Sequence, residues 1–438
     1  MGPKSAEWMK RYQESTLPST VDEKFPVIMR GERIYVKDVD GNLYVDMNSQ
    51  VGIASIGHRH PTVIRALREY LADLGGYDGN LLAIIGSDYV HPLMVELAEE
   101  LKRITPGGFV KKVGFASSGA RAISSAVKFL QRARPERPHF ISFIGAFHGR
   151  VGPAMQLTCS KYIQKDGYEK LGNFYKVPYA NVVAIRELIG PEFAGNQINA
   201  IVLEMVQGEG GNVPADPLDI KDIKELCAEY DIKLIVDEIQ TGLGRTGKMW
   251  ACEHYNLVPD ILVTSKALAS GSAIAAYIAR TGMLRDRESE ILPLGWDSET
   301  FYAPPLACAM ALATIRAIES QGLVENAAAM GKIMGKRLKA IERMSTRHKA
   351  RGLGLMWGLE FTRENGNPDP KSRNEFIYKA LDEGLLFMGS GRGIPAKNPT
   401  VRFMPPLCIT EKEIHTVMDK VVKILSNSHP FIHTESSG

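Results

Sequence analysis

KLIVDEIQTG (233–242) and DILVTSKALASG (260–271) decide the fold. Each opens on an apolar, largely β-branched run and stops abruptly: the first at Asp237 and Glu238, the second at Lys266 with Ala267 to Gly271 behind it. Unbroken apolar runs of this length predict strands buried on both faces. Four more, VGFAS (113–117), FISFI (140–144), AIVLEM (200–205) and AIAAYIA (273–279), alternate with helical patterns. Ile220, Ile223, Leu226, Cys227 and Tyr230 recur at helical spacing between two of them, as a crossover helix requires. The pattern is that of an α/β sheet covered by helices on both sides. In such sheets ligands bind outside the C-terminal strand ends, where Asp237 and Lys266 fall.

Outside this block, IYVKDVDGNLYVDM (34–47) alternates about Asp40-Gly41 and reads as a hairpin packed on something larger. LMWGLEF (355–361) and TVRFM (400–404) read as strands, and the helix opened by Thr410-x-x-Glu413 carries a buried stripe of Ile414, Val417, Met418, Val421 and Leu425. With 438 residues, one large and one smaller domain is the natural expectation, with a boundary near 325.

Bulk properties narrow the partners. Lys and Arg number 53 against 50 Asp and Glu, and a net charge of +3 argues for neither nucleic acid nor an anionic membrane. No apolar run has bilayer length, and the opening MGPKSAEWMKRYQEST lacks a signal-peptide core. The five cysteines form no C-x-x-C pair, as expected of reduced thiols in the cytoplasm. His58-Arg59-His60 has no second cluster at ligand spacing, so a structural role is expected and no metal.

The chemistry gathers on one sheet rim. A strand-end lysine is ordinarily a surface group; buried beside small residues, it is an amine suited to condense with a carbonyl. Ser117-Ser118-Gly119-Ala120 joins VGFA to a helix starting near Arg121, and such small residues either make the turn or let backbone N–H groups meet an anion. Aspartate, lysine and anion seat together match the ring nitrogen, aldehyde and phosphate of pyridoxal 5'-phosphate (PLP).

With these motifs in place, the chain resembles the class III (omega-amino acid) aminotransferases of PLP fold type I over nearly its whole length. DGNLYVDMNSQVGIASIGHRHP, GAFHGR, LEMVQGEGG, VDEIQTGLGRTGKMWACEHYNLVPDILVTSKALASG, RGLGLMWGLEF and VRFMPPL follow the family's order. The resemblance implies a large α/β domain with a mostly parallel seven-stranded sheet, spanning 76–325. A smaller α+β domain is formed by 326–438 with the N-terminal segment 1–75 packed on it. It also implies a homodimer with sites shared between subunits.

By the same resemblance Lys266 is the Schiff-base lysine, Asp237 keeps the pyridine nitrogen protonated and Gln240 meets the phenolic oxygen. Ile239 and Phe147 sandwich the ring, with His148 also at the cofactor. Ser118, Gly119 and Ala120 seat the phosphate, which Thr300 of the partner subunit reaches. Arg402 binds the substrate α-carboxylate, Glu209 is its switchable partner, Arg150 seats a distal carboxylate and Val51 lines the substrate. Three departures stand out: Ala120-Arg121 where serine and an acidic residue are usual, Ile123 for asparagine, and Tyr302-Ala303-Pro304 for Gly-Gly-Asn. At Arg121 a cation opens a helix, which needs an anion such as the phosphate to offset it.

The implied activity is transfer of an amino group from an omega-amino or diamino acid, of 4-aminobutyrate or ornithine type, to 2-oxoglutarate. A racemase or epimerase of the same family is the alternative. A non-catalytic relative is disfavoured, because Lys266, Asp237, Gln240 and Thr300 are all present.

Overall fold

The computed structural model describes residues 1–17, 22–72, 88–193, 197–283, 295–390 and 399–427, so the boundary expected between 75 and 76 lies outside the described residues. Seven strands form the main sheet: β1 (Lys111–Ala116), β2 (His139–Phe143), β3 (Phe174–Val177), β4 (Ile198–Leu203), β5 (Lys233–Asp237), β6 (Ile261–Thr264) and β7 (Ala275–Arg280). They lie side by side as β1-β7-β6-β5-β4-β2-β3. All neighbours run parallel except those of β7, which is antiparallel to both β6 and β1. The mostly parallel α/β sheet is therefore as expected. Its one strand without an apolar signature is β3, an edge strand whose Phe174, Tyr175 and Lys176 are only half-buried.

Alternate residues of each central strand feed two separate cores. On β5, Leu234 and Val236 enter one and Ile235 the other. Helices Pro217–Glu229 and Pro305–Ser320 cover the first face. Helix Gly119–Ala133 covers the second through Ala122, Ile123, Ala126, Val127 and Leu130. Larger side chains such as Ile123, Val127 and Leu130 contribute about 1.5–3 kcal/mol each on full burial, which is why the central strands tolerate no polar alternation. Ile123, one of the departures from the family pattern, is fully buried in this core.

Caps fix where the helices begin. Asp216 accepts the Leu218 N–H at 2.8 Å, with Pro217 preset for the first turn. Ser118, in extended conformation, accepts the Arg121 N–H at 3.3 Å, so that helix opens at Gly119 and not near Arg121.

Two four-stranded sheets stand beside the main one. Tyr35–Asp38 and Leu43–Asp46 form the expected hairpin, closed where Asp38 accepts the Asn42 N–H at 2.7 Å and Gly41 sits at φ +98°. Leu43–Asp46 then pairs in parallel with Leu385–Leu386. The other sheet joins His348–Leu353, Met356–Phe361, Thr400–Phe403 and Met388–Gly389, all antiparallel. Against it lies the C-terminal part, ending in helix Glu411–Ser426 with the capping box of Thr410 and Glu413 and the buried stripe foreseen for it. Among the described residues no helix is long and apolar enough to cross a membrane.

A glycine determines how this sheet meets the main one. Gly358 pairs with Arg402, and a Cβ there would lie 2.6 Å from the Gly211 carbonyl oxygen and 2.7 Å from Thr400 Cγ2. Arg351 Nε donates to the same Gly211 oxygen at 3.1 Å, and Asn212 Nδ2 donates to the Trp357 carbonyl at 2.7 Å. The 208–212 turn is thus pinned on the smaller sheet. Gly358→Ala should lower stability by about 1–3 kcal/mol through overpacking against backbone. Denaturant unfolding checks this, and an unchanged midpoint would mean that the turn can retreat.

Candidate active site

Strands β5 and β6 deliver the central groups to one rim. Asp237 closes β5 opposite Val263 of β6, and Lys266 follows β6 after Ser265. Lys266 adopts φ +38°, a left-handed conformation that costs a non-glycine residue about 1–2 kcal/mol. Ser265 Oγ secures the turn by donating to the Ile274 carbonyl at 3.0 Å. Burial pushes the Lys266 ammonium down to about 8; Asp237 and Glu209 oppose this shift, while Arg402 reinforces it. These groups therefore share one electrostatic neighbourhood.

Asp237 is held on both oxygens. Oδ2 lies 2.8 Å from His148 Nδ1, and Oδ1 accepts the Ile239 N–H at 3.0 Å. His148 is buried; burial disfavours its charge, but the bond to Asp237 and the Asp237 charge outweigh this and raise its affinity for a proton. Its backbone N–H is fixed on Thr158 Oγ1 at 3.0 Å. Beside them Glu204 accepts the Phe147 N–H at 3.1 Å and is pushed up to about 7, by burial first and by Asp237 as a like charge, against the pull of His148.

Ser118, Gly119 and Ala120 form the helix N-terminus at the same rim. A Cβ on Gly119 would lie 2.7 Å from Ile239 Cδ1, and one on Gly149, at φ +143°, would overlap Ala120. The missing side chains let the loops carrying Ile239 and Phe147-His148 close on this turn. Arg121 is offset by carboxylates of its own chain: its Nη2 donates to Asp297 at 2.8 Å and its Nε to Glu299. Glu299 also accepts the Ser117 N–H at 2.9 Å, which places exposed Thr300 one residue beyond the clamp. Tyr302 packs edge-on against Phe115, with ring centroids 5.8 Å apart.

Gln240 Nε2 donates to the Val51 carbonyl at 3.1 Å. Val51 ends a run of three left-handed non-glycine residues: Ser49, Gln50 and Val51 have φ of 48, 51 and 62°. Buried Arg245, from the GLGRTG stretch, lies under this run. It donates to the carbonyls of Leu355 at 3.1 Å and Pro405 at 2.5 Å, and to Ser49 Oγ and Ser55 Oγ at 3.4 and 3.2 Å.

Arg402, almost inaccessible on its strand, donates to Glu209 Oε1 at 3.0 Å. Lys161, which the sequence did not single out, donates to Glu209 Oε2 at 2.7 Å. Burial would raise the Glu209 carboxyl, yet Arg402 and Lys161 hold it at about 2. Arg150 is exposed, and its guanidinium stands 5.1 Å over the Phe147 ring.

The structure thus brings Lys266, Asp237, His148, Gln240, Glu209 and Arg402 together at the sheet rim with Ser118–Ala120, adding Glu204, Lys161 and Arg245. His148 Nε2 and Arg402 Nε are buried polar atoms without a hydrogen-bond partner among the described residues. An amine of lowered basicity, a fixed carboxylate and a capped helix N-terminus fit an anionic aromatic aldehyde such as PLP. His58 and His60 serve the frame: His58 lies 2.8 Å from Asp46, and His60 accepts the Thr62 N–H at a helix start.

A family model described as Aminotransferase class-III matches residues 17–425. The chain is 36% identical over 421 residues to an acetylornithine aminotransferase of Archaeoglobus fulgidus, covering 96% of this chain and 100% of that protein. It is 31% identical over 454 residues to an alanine/serine racemase of Pyrococcus horikoshii, with 98% and 90% covered. The fold matches the crystal structure of the ornithine aminotransferase from Toxoplasma gondii with a TM-score of 0.84 at 26% identity, covering 97% of this chain and 96% of that one.

Desolvation of Lys266 has a defined pH signature. Because burial destabilises the ammonium, the neutral amine should appear with a midpoint near pH 8, well below the ordinary 10.5. Competitive acetylation of the apo-protein across pH, read by peptide mass mapping, measures that midpoint. A value above 10 would mean that the recess leaves the amine hydrated.

Proposed function

Since the chain belongs to the class-III aminotransferase family, whose members depend on PLP, we propose that it transfers the amino group of an omega-amino or diamino acid to 2-oxoglutarate. The donor is of the 4-aminobutyrate or ornithine type. The observation that carries the reading is the Arg402–Glu209 pair, 3.0 Å apart, within the electrostatic reach of Lys266. An amino-group carrier must accept two unlike substrates in turn, and a cation with a removable carboxylate partner suits both.

When bound, PLP supplies an aldehyde for the amine and a ring that takes up the electron pair left at the substrate Cα. Lys266 would hold it, and Asp237, oriented by His148, would serve its ring nitrogen. Gln240 would meet the phenolic oxygen, Phe147 and Ile239 would flank the ring, and Ser118, Gly119 and Ala120 would seat the phosphate together with Thr300 of the partner subunit. The Lys266 amine would be the base for the Cα proton, and its lowered basicity keeps a useful fraction neutral near pH 8.

Arg402 receives an α-carboxylate after Glu209 moves aside, and stays neutralised by Glu209 when an omega-amine is bound. Arg150, propped on the Phe147 ring, takes the distal carboxylate, and Val51 lines the substrate side. In this reading the protein works as a homodimer with residues 76–325 as its large domain, 326–438 as the smaller one and 1–75 packed on it. Its five cysteines, all thiols, suit a reducing, cytoplasmic setting. The likeness to an alanine/serine racemase keeps one rival: an enzyme that returns the proton to Cα and releases no oxo acid.

The test incubates the PLP-loaded enzyme with a panel of amino acids, with and without 2-oxoglutarate, following glutamate and enantiomer composition together. Glutamate formed from an omega-amino or diamino donor is expected. Chiral inversion without any oxo-acid requirement would replace the transaminase by the racemase. Lys266→Ala should abolish turnover and the borohydride-reducible adduct, and a reduced adduct on another lysine would refute its assignment.

A further inference from the structure

Glu209 has two cationic partners, and the switch just described uses one. Its oxygens are divided: Oε1 accepts from Arg402 and Oε2 from Lys161, at 3.0 and 2.7 Å. Lys161 comes from extended backbone ahead of the short helical turn Tyr162–Gln164, a different part of the chain from the strand Thr400–Phe403 that carries Arg402. The side chains of Lys161 and Glu209 are 16% and 17% exposed, so water screens little of their attraction. The neighbouring lysines are engaged elsewhere, Lys165 on the Thr158 carbonyl and Lys176 on that of Phe174.

Separate oxygens mean that the Arg402 bond can break while the Lys161 bond survives. Without Lys161, a Glu209 displaced from Arg402 would be an unpaired buried anion, the most costly product of opening an ion pair. With it, the displaced carboxylate keeps a cation. We propose that Lys161 is a positioning residue that retains Glu209 when Arg402 turns to a substrate carboxylate, and so favours substrates carrying a carboxylate beside the reacting carbon.

The inference rests on the Arg402 reading above. It makes Lys161 matter for 2-oxo and α-amino acids, which must open the pair. An omega-amine offers only a methylene next to its amino group and leaves the pair closed, so it depends less on Lys161.

The experiment compares the PLP holoenzyme with Lys161→Met, Lys161→Arg, Arg402→Leu and Glu209→Gln, and with the Lys161→Met/Glu209→Gln double variant. KM is measured for 2-oxoglutarate and for 4-aminobutyrate. Calorimetry gives the Kd of 2-oxoglutarate on the PLP form, where it binds without reacting, so opening is read without turnover. Lys161→Met should raise KM and Kd for 2-oxoglutarate about ten-fold or more, and several-fold more than it raises KM for 4-aminobutyrate. Lys161→Arg should restore both, and in the Glu209→Gln background Lys161→Met should lose its effect.

Equal changes for the two substrates, no change for either, or an undiminished effect in the Glu209→Gln background would overturn the proposal. Arg402→Leu separates this failure from that of the underlying reading. If Arg402→Leu leaves 2-oxoglutarate binding intact, the Arg402 assignment itself falls. If Arg402→Leu weakens binding and Lys161→Met does not, only the role of Lys161 falls. Should Lys161→Met fail to fold, Lys161→Gln takes its place in the same cycle.

Discussion

Arg245 is the buried charge around which the site is assembled. It is 1% exposed, and its burial lowers the guanidinium to about 10 even with Asp46 opposing the shift. A lone cation so placed would be prohibitive, and its donors accordingly reach three stretches of the chain, at Leu355, at Pro405, and at Ser49 and Ser55. Hydrogen bonds from a charged group contribute about 1.5–3 kcal/mol each, and here the same bonds that solvate the charge fasten these parts to the rim of the main sheet.

The fastening matters because the neighbouring backbone is strained. Ser49, Gln50 and Val51 occupy the left-handed region in succession, at about 1–2 kcal/mol per residue, and Lys266 occupies it too. Nothing local favours such a run in non-glycine residues. It is held by Ser49 Oγ donating to the Met404 carbonyl at 2.6 Å, by Arg245 beneath, and by Gln240 on the Val51 carbonyl. These contacts join the 49–51 run to the segment that follows Arg402 and to the loop that follows Asp237, so strain in one wall positions groups in the others.

How much of this was legible from sequence depends on the range of the interaction. Strands buried on both faces write themselves as apolar runs, and six of seven were readable; β3 was not, since an edge strand with Lys176 in it carries no such run. Asp237 and Lys266 were readable because strand ends define the rim. Resemblance placed Arg402 and Glu209, and the geometry pairs them. Lys161 was invisible: it lies in an irregular stretch 48 residues from Glu209, and nothing local marks it. Arg121 was noticed as an oddity, but its counter-charges Asp297 and Glu299 come from 176 and 178 residues away, and nothing local marks them. Arg245 was part of a recognised motif, yet its role lies wholly in contacts with distant carbonyls.

The two glutamates of LEMVQGEGG show how one short stretch serves two electrostatic ends. Glu204 and Glu209 are both buried groups close to Lys266, yet burial drives the first up to about 7 while two cations hold the second at about 2. The difference is in their neighbours. Glu204 meets the like charge of Asp237 and two backbone N–H groups, and Glu209 meets Arg402 and Lys161. Burial therefore favours the neutral form of Glu204 more than that of an ordinary carboxylate, which tempers the like charge beside Asp237, while His148 stays bonded to Asp237. Glu209 stays ionised throughout the physiological range, so its contact with Arg402 can be exchanged only for another anion, never relieved by a proton. Opposite shifts on like residues thus separate a group that tempers the charge beside Asp237 from one held ionised between Arg402 and Lys161.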